Sequence, residues 1–256
     1  MRKLKTYNLL WTLIITVFFA TLMSSCTKDE ENNNGNSYYA VYLDENDEDY
    51  INFGTFESFT AGTEWSIIEK VKMPAGADND GGWHFFRGEA WDDLEGDIAI
   101  RISTTRISTW CQKNGWVSVV YDGTFNPDQW YAICLQYNST AQELELYVDG
   151  SLVGQESMEP MDDNNNNNNM FWGGQESDPL NNEGELYSES SIIIAHQVWL
   201  QRTLSSAEIA DYDGYIAPET ALFFATDIDA NSVSDISGNN HNGTEGNTPE
   251  YITVQK

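Results

Sequence analysis

Five tryptophans stand in polar surroundings that suit the binding of sugars. Trp83 follows two glycines, Trp91 precedes two aspartates, Trp172 precedes two glycines, and Trp110 and Trp116 complete the set. An aromatic ring can stack on a sugar while neighbouring carboxylates and amides bind its hydroxyl groups. The alternative for each ring is a place in the core, where most large aromatic side chains lie. We take Trp83, Trp91 and Trp172 as the leading ligand-binding candidates.

Two of the three cysteines are candidates for a disulfide. Cys111 and Cys134 both lie in strand-like segments, whereas Cys26 follows small residues near the N-terminus. In an oxidising compartment the first two could pair; otherwise both are small, buried, apolar side chains. The three histidines show no metal-ligand spacing with each other or with the cysteines, so we expect no zinc site.

The N-terminus predicts export and a lipid anchor. Three basic residues among the first five precede an apolar run, residues 9–23, which is too short for a spanning helix and fits a signal peptide. Residues 22–26 (Leu-Met-Ser-Ser-Cys) resemble a bacterial lipobox, in which Cys26 becomes the acylated first residue. The alternative is an ordinary cleaved signal peptide with an incidental cysteine.

The residues after Cys26 predict where the protein is displayed. Lys28, Asp29, Glu30 and Glu31 resemble the Lys-acid-acid tag that sends some Gram-negative lipoproteins to the outer face of the outer membrane. We therefore expect residues 1–25 to be a signal peptide and residues 26–37 to be an acylated cysteine with a flexible polar stalk.

Charge excludes one class of function. The chain has 41 acidic and 12 basic residues and a formal net charge of -29 at pH 7. Such a surface repels phosphate backbones, so nucleic-acid binding is excluded.

The elements from Tyr38 onward predict an all-β domain over residues 38–256. Short apolar or alternating runs recur between turn residues, at 65–73, 98–102, 116–121, 130–137, 144–148 and 192–200. Asp122-Gly123 and Asp149-Gly150 are dipeptides typical of tight hairpins with positive φ. Only residues 205–212 look helical, with Ser205 and Glu208 spaced as a capping box. Many short strands and one helix indicate a sandwich or jelly roll.

Four segments carry a family resemblance. They are the hairpin at 128–153 with its Leu-Glu-Leu-Tyr-Val-Asp-Gly strand, the opening strand at 50–54, the Trp strand and short helix at 198–209, and Asp-Ile-Ser-Gly-Asn-Asn-His-Asn-Gly at 235–243. Together they resemble laminin G-like and pentraxin-like domains. The resemblance implies a concanavalin A-like jelly-roll β-sandwich of two antiparallel sheets with one short helix near 205–212.

The chain also departs from that pattern. Lys70 stands where the family often has Trp, and Ile194-Ala195 stands where an acidic pair usually precedes the Trp strand. A metal or ligand that relatives bind through the acidic pair cannot be bound there by this chain.

Calcium is a candidate cofactor. Asp227, Asp229 and Asn231 place oxygen ligands at alternate positions, and Asp235 follows within the segment near which laminin G-like relatives often hold a structural calcium. The alternative is an Asx-rich turn in which Asp235 caps local backbone amides.

The acids at residues 89–95 (Glu-Ala-Trp-Asp-Asp-Leu-Glu) are the nearest approach to the paired carboxylates of sandwich glycanases. Two carboxylates are not sufficient for hydrolysis, and the flanking glycines indicate a loop. We therefore interpret the protein as a lipoprotein, exposed on the outer membrane, with a non-catalytic domain that binds glycan. A protein-binding adhesion or structural module and a weak glycoside hydrolase are the alternatives.

Overall fold

The computed structural model describes residues 37–56, 59–76, 83–87, 97–112, 116–161, 169–176, 186–188, 191–214, 216 and 219–255. Tyr38–Gln255 forms one compact unit. No helix within these ranges is long and apolar enough to cross a membrane.

Nine strands of the described chain form the first sheet. They are β1 (Ser37–Leu43), β3 (Trp65–Lys72), β9 (Tyr131–Asn138), β10 (Glu143–Val148), β11 (Ser151–Ser157), β15 (Ile192–Leu200), β16 (Leu222–Ile228), β17 (Val233–Asp235) and β19 (Glu250–Gln255). Their order is β11-β10-β9-β3-β15-β1-β19, with β16 pairing with both β15 and β17.

Eight strands of the described chain form the second sheet. They are β2 (Tyr50–Thr55), β4 (Trp83–Arg87), β5 (Ile98–Ile102), β6 (Arg106–Gln112), β7 (Trp116–Val117), β8 (Val120–Asp122), β12 (Asn169–Trp172) and β18 (Thr244–Gly246). The order is β18-β2-β12-β4-β5-β6-β7, and β8 also pairs with β6. The strands β13 (Gly174–Glu176) and β14 (Leu186–Ser188) form a separate hairpin.

The two sheets share one hydrophobic core. Alternate residues of their strands meet in it, including Ile67 and Leu135 from the first sheet and Ile100 and Ile107 from the second, all four fully buried. Because successive strand residues point to opposite faces, the intervening residues lie on the outer faces. The predicted all-β fold of two antiparallel sheets is confirmed.

The predicted helix is also confirmed. Helix α1 spans Ser206–Ala210; the Ser205 side chain accepts from the Glu208 backbone N–H, and the Glu208 carboxylate accepts from the Ser205 backbone N–H. A 3-10 turn, Glu45–Asp47, precedes β2.

The helix and its neighbours cover part of the first sheet's outer face. Leu204 and Ile209 pack there with Cys134 and Tyr147 in a second cluster of buried side chains. Residues 144–147 are therefore buried on both faces of the first sheet, since Glu145 is buried as well. Burial and the hydrogen bond that Tyr147 donates to Glu145 raise the pKa of Tyr147 to about 12.

The two predicted Asp-Gly turns have different outcomes. Asp149 (φ 48°) and Gly150 (φ 77°) join β10 to β11 with positive φ, and a Cβ at Gly150 would lie 2.5 Å from Cβ of Ala210. The Asp122-Gly123 prediction is wrong. Neither residue has positive φ, and the Gly123 N–H donates to the Thr105 carbonyl, which ties β8 beside β6.

Candidate functional site

An open cleft lies on the outer face of the second sheet. It encloses about 520 Å³, a volume within the range of small-molecule sites. Its lining combines cationic, hydroxyl, aromatic and acidic side chains: Arg101, Ser103, Thr105, Arg106, Ser108, Trp110 and Asp122.

The alternation of β6 builds the floor of the cleft. Ile107 and Cys111 point into the core between the sheets. Arg106, Ser108 and Trp110, at the alternate positions, line the cleft. From Arg106 to Trp110 the strand extends about 13 Å at the usual rise per residue, so a ligand along β6 would meet charge at one end and an aromatic ring at the other.

Strand register brings the remaining polar groups alongside. Arg101 of β5 lies opposite Ser108, and Asp122 of β8 lies opposite Arg106. Nε of Arg106 is 2.7 Å from Oδ1 of Asp122. Both side chains are exposed, at 56% and 71%, so this pair orients the guanidinium and adds little stability.

The turn between β5 and β6 forms one end of the cleft. The Ser103 N–H donates to the Arg106 carbonyl at 2.8 Å, and the Thr105 N–H donates to Oγ of Ser103 at 3.3 Å. The segment after β8 fixes the turn from outside, because the Phe125 N–H donates to the Thr104 carbonyl at 2.9 Å. The site therefore has a fixed backbone frame.

An apolar rim adjoins the polar floor. Trp116 of β7 is 45% exposed and pairs in register with Gln112, two residues beyond Trp110 on β6. Val120 of β8 is 47% exposed and pairs with Ser108. Large exposed apolar side chains beside convergent hydrogen-bonding groups are typical of a binding face.

Of the three leading tryptophan candidates, Trp172 is the one whose side chain the structure describes, and it does not line this cleft. Trp172 as a ligand-binding platform is wrong: it is fully buried, its Nε1–H donates to Oε1 of Gln197 at 3.1 Å, and its ring packs edge-on against Phe53. The reason is its phase on β12, which points the ring into the core between the two sheets. Trp83 is the backbone partner of Arg101, but its side chain, like the whole of Trp91, lies outside the described residues.

Trp110 lines the cleft and Trp116 is exposed at its rim, so these two replace Trp172 as candidate binding platforms. The signal that could have identified them is the alternation of β6, in which Arg106, Ser108 and Trp110 share the face opposite Ile107 and Cys111. Two further tryptophans lie in the segments of the family resemblance. Trp199 is fully buried, whereas Trp130 is only half-buried, with Nζ of Lys72 5.3 Å from its ring centroid.

The cysteines are free, so the disulfide alternative is wrong. Cys111 lies in the core between the sheets, whereas Cys134 lies in the cluster on the outer face of the first sheet. Cys111 therefore lies on the inner side of the first sheet and Cys134 on its outer side, so the two thiols do not face each other. Burial raises the pKa of both thiols well above the usual range.

The four calcium candidates lie on β16, on β17 and in the turn between them. No group of three or more acidic, His or Cys side chains in the described chain is arranged to hold a metal ion. Asp235 accepts from the backbone N–H groups of Ser237 and His241, and Asp229 accepts from that of Asn231. Asp227 is exposed on β16. The hydrogen bonds of Asp229 and Asp235 fit the alternative, an Asx-rich turn, and calcium binding stays a prediction.

The other predicted functional residues lie outside the described ranges. They are Cys26, Lys28, Asp29, Glu30, Glu31 and the acids of residues 89–95.

A family model matches residues 34–210, which is more than half of the chain. It is a laminin G-type model described as the concanavalin A-like lectin/glucanases superfamily. None of the curated proteins matches the chain at a significant level.

Several solved structures share the fold at low sequence identity. A proposed carbohydrate-binding protein from Bacteroides ovatus has a TM-score of 0.63 at 12% identity over 86% of this chain, which spans 60% of that protein's length. A heptameric SAP-like pentraxin from Limulus polyphemus has a TM-score of 0.54 at 12% identity, covering 83% of this chain and 95% of its own.

A third similar structure is the CBM40 module of the Ruminococcus gnavus IT-sialidase, bound to α2,3-sialyllactose. Its TM-score is 0.52 at 10% identity, with 68% of this chain and 95% of the module covered. At such identities these structures show a shared fold and nothing more. The family match shows membership: the chain belongs to the concanavalin A-like lectin/glucanase superfamily.

Proposed function

We propose that this protein is a non-catalytic glycan-binding module, anchored by lipid at Cys26 on the cell surface. The observation that carries the proposal is the cleft of the second sheet, where Trp110 lies two residues from Ser108 and four from Arg106 on one strand face. An aromatic face with hydroxyl and guanidinium groups beside it suits a pyranose ring and its hydroxyl groups.

The chemistry of the cleft favours sugar over an apolar ligand. Charged and hydroxyl side chains make up most of its described lining, while the large apolar side chains of Trp116 and Val120 are exposed beside it. A protein-docking face would place apolar groups at the centre and polar groups around them. The carbohydrate-binding names of the Bacteroides ovatus and Ruminococcus gnavus structures support the same proposal.

The same lining supports binding without hydrolysis. Glycoside hydrolysis by the usual routes needs two carboxyl groups on either side of the scissile bond. Among the described residues that line the cleft, Asp122 is the one carboxylate, and Arg106 holds it at 2.7 Å. One carboxylate cannot supply both of the groups that these routes need.

Surface anchoring rests on the N-terminal sequence. The lipobox that ends at Cys26 supports acylation, and the tag from Lys28 to Glu31 supports display on the outer face of the outer membrane. Several acyl chains on one cysteine exceed the two-signal threshold for stable anchoring. A glycan-binding domain on a polar stalk would then face the surroundings of the cell.

A glycan array probed with the full-length protein in mild detergent tests the proposal. We expect the wild type to bind at least one glycan, and Trp110→Ala to bind it about tenfold more weakly, the loss expected for one stacking ring. Trp130→Ala is the matched control, since Trp130 is a half-buried tryptophan on the other sheet.

Two results would contradict the proposal. If no glycan binds, the protein-binding module becomes the better account. If Trp130→Ala abolishes binding and Trp110→Ala does not, the glycan site lies on the first sheet.

A further inference from the structure

The cleft concentrates positive charge on a strongly negative chain. Of the 12 basic residues in a chain with a net charge of -29, Arg101 and Arg106 both line it. Resting on the proposed function, we propose that the ligand of this cleft is a glycan with a carboxylated sugar, whose carboxylate Arg106 binds while Trp110 stacks on a sugar ring.

The geometry of Arg106 suits a carboxylate. Its Nε donates to Asp122, and no hydrogen bond or ion pair joins its two terminal nitrogens to the part of the chain that the structure describes. A guanidinium held at Nε presents its terminal pair as a fork that matches the two oxygens of a carboxylate. Asp122 thus fixes the plane of the fork without occupying its outer edge.

The neighbours of Arg106 extend the site along β6. Ser108 is 5% exposed and lies between Arg101 on β5 and Val120 on β8, so its hydroxyl sits at the centre of the sheet face. Trp110 follows at the far end, about 13 Å from Arg106 along the strand. This spacing separates the guanidinium of Arg106 from the ring of Trp110. A ligand that reaches both therefore needs a carboxylate and an uncharged ring.

The charge of the whole chain restricts the ligand further. A net charge of -29 repels a polymer of closely spaced anions at long range, whereas a single carboxylate on an otherwise neutral oligosaccharide meets mainly the local field of the cleft. We therefore expect isolated carboxylates to be preferred over densely sulfated chains.

The test compares each acidic sugar with its own methyl ester, which removes the charge and keeps the ring. Two sources of the carboxylate are assayed by titration calorimetry on full-length protein in detergent: 3′-sialyllactose for sialic acid and a xylotriose that carries one glucuronic acid for hexuronic acid. We expect one acid to bind at least tenfold more tightly than its ester. Heparin, as a dense polyanion, should bind more weakly than that acid.

Variants of Arg106 test whether its terminal nitrogens cause the preference for the acid over the ester. Arg106→Gln should reduce the acid-to-ester ratio to near one, and Arg106→Lys, which keeps the charge without the fork, should retain only part of it. Lys70→Gln removes a charge from the first sheet and should leave the ratio unchanged. Melting curves check folding; the exposed Arg106–Asp122 pair should contribute little to them.

The outcomes separate this inference from the proposed function. Equal binding of acid and ester, an unchanged ratio in Arg106→Gln, or tighter binding of heparin would overturn the carboxylate inference, while a neutral glycan found on the array would leave glycan binding standing. If neither the array nor the titrations detect binding, the proposed function fails, and this inference fails with it.

Discussion

At the scale of residues, the phase of a tryptophan on its strand decides between core and binding surface. Trp172 and Trp110 both lie on strands of the second sheet, yet Trp172 points into the core and Trp110 points into the cleft. The two glycines after Trp172 suggested a binding site. Glycines indicate a turn near a strand, but they do not indicate the direction of a side chain. Arginine and serine at alternate positions around Trp110 were the more informative neighbours.

The direction of the side chain on its strand also decides whether the two cysteines can pair. Cys111 and Cys134 both lie in strands, as the sequence predicts, but a disulfide also requires their side chains to face each other. The first sheet separates the two thiols, and its register was not available from spacing along the chain.

At the scale of elements, the capping box of α1 predicts a dependence of stability on pH. The hydrogen bond from Arg202, with that from the Ser205 N–H, lowers the pKa of Glu208 to about 2. Because the folded-state pKa lies below the unfolded value of about 4.3, the stabilisation is complete above that value and is lost as the pH falls towards 2.

Urea denaturation of the wild type and Glu208→Gln measures this effect. We expect the wild type to be more stable at pH 7 by about 1 kcal/mol, a modest value because the carboxylate is half-exposed, and the difference to vanish by pH 2. Glu156→Gln, on the exposed strand β11, controls for the removal of one negative charge. A difference that persists unchanged at pH 2 would show that Glu208 acts only through its shape.

Most elements could be predicted, and their pairing could not. The hairpin of β9 and β10, the helix α1 and the Asp149-Gly150 turn all follow from local patterns of apolar and turn residues. The position of β12 between β2 and β4 depends on contacts between residues more than 80 positions apart, which no local pattern encodes. The phase of Trp172 on that strand makes it a core residue.

The sequence predicts only part of the binding cleft. Strand alternation puts Arg106, Ser108 and Trp110 on one face of β6, although the polar Thr109 interrupts the apolar pattern of the opposite face. Asp122 joins them because β8 returns beside β6, although Asp122-Gly123 predicted a hairpin turn there. Long-range register therefore completes the site.

At the scale of the whole molecule, strands beyond the family match complete both sheets. The match ends at residue 210, yet β16 pairs with β15, β18 pairs with β2 and β19 lies beside β1. Residues 222–255 thus belong to the same sandwich, and a shortened chain ending at residue 210 would expose the edges of β1 and β2.

Anchoring is a property of the whole molecule that one residue controls. Cys26→Ser should abolish acylation and leave the protein unprocessed or released, because the lipid is the proposed attachment. Metabolic labelling with a fatty acid analogue and fractionation of membranes measure the result, with Cys134→Ser as the matched control. Cys26→Ser protein that still matures and fractionates with the outer membrane would contradict the lipobox prediction.

The central claim is that glycan binds the outer face of the second sheet, and indole N–H signals in NMR test it most directly. Each tryptophan signal, assigned by single Trp→Phe variants, is followed while the glycan identified on the array is added. The signals of Trp110 and Trp116 should move, whereas those of Trp172 and Trp199, which both donate to Gln197 at 3.1 Å in the core, should not. Movement of the Trp130 signal with Trp110 and Trp116 unchanged would place the glycan on the first sheet and contradict the account.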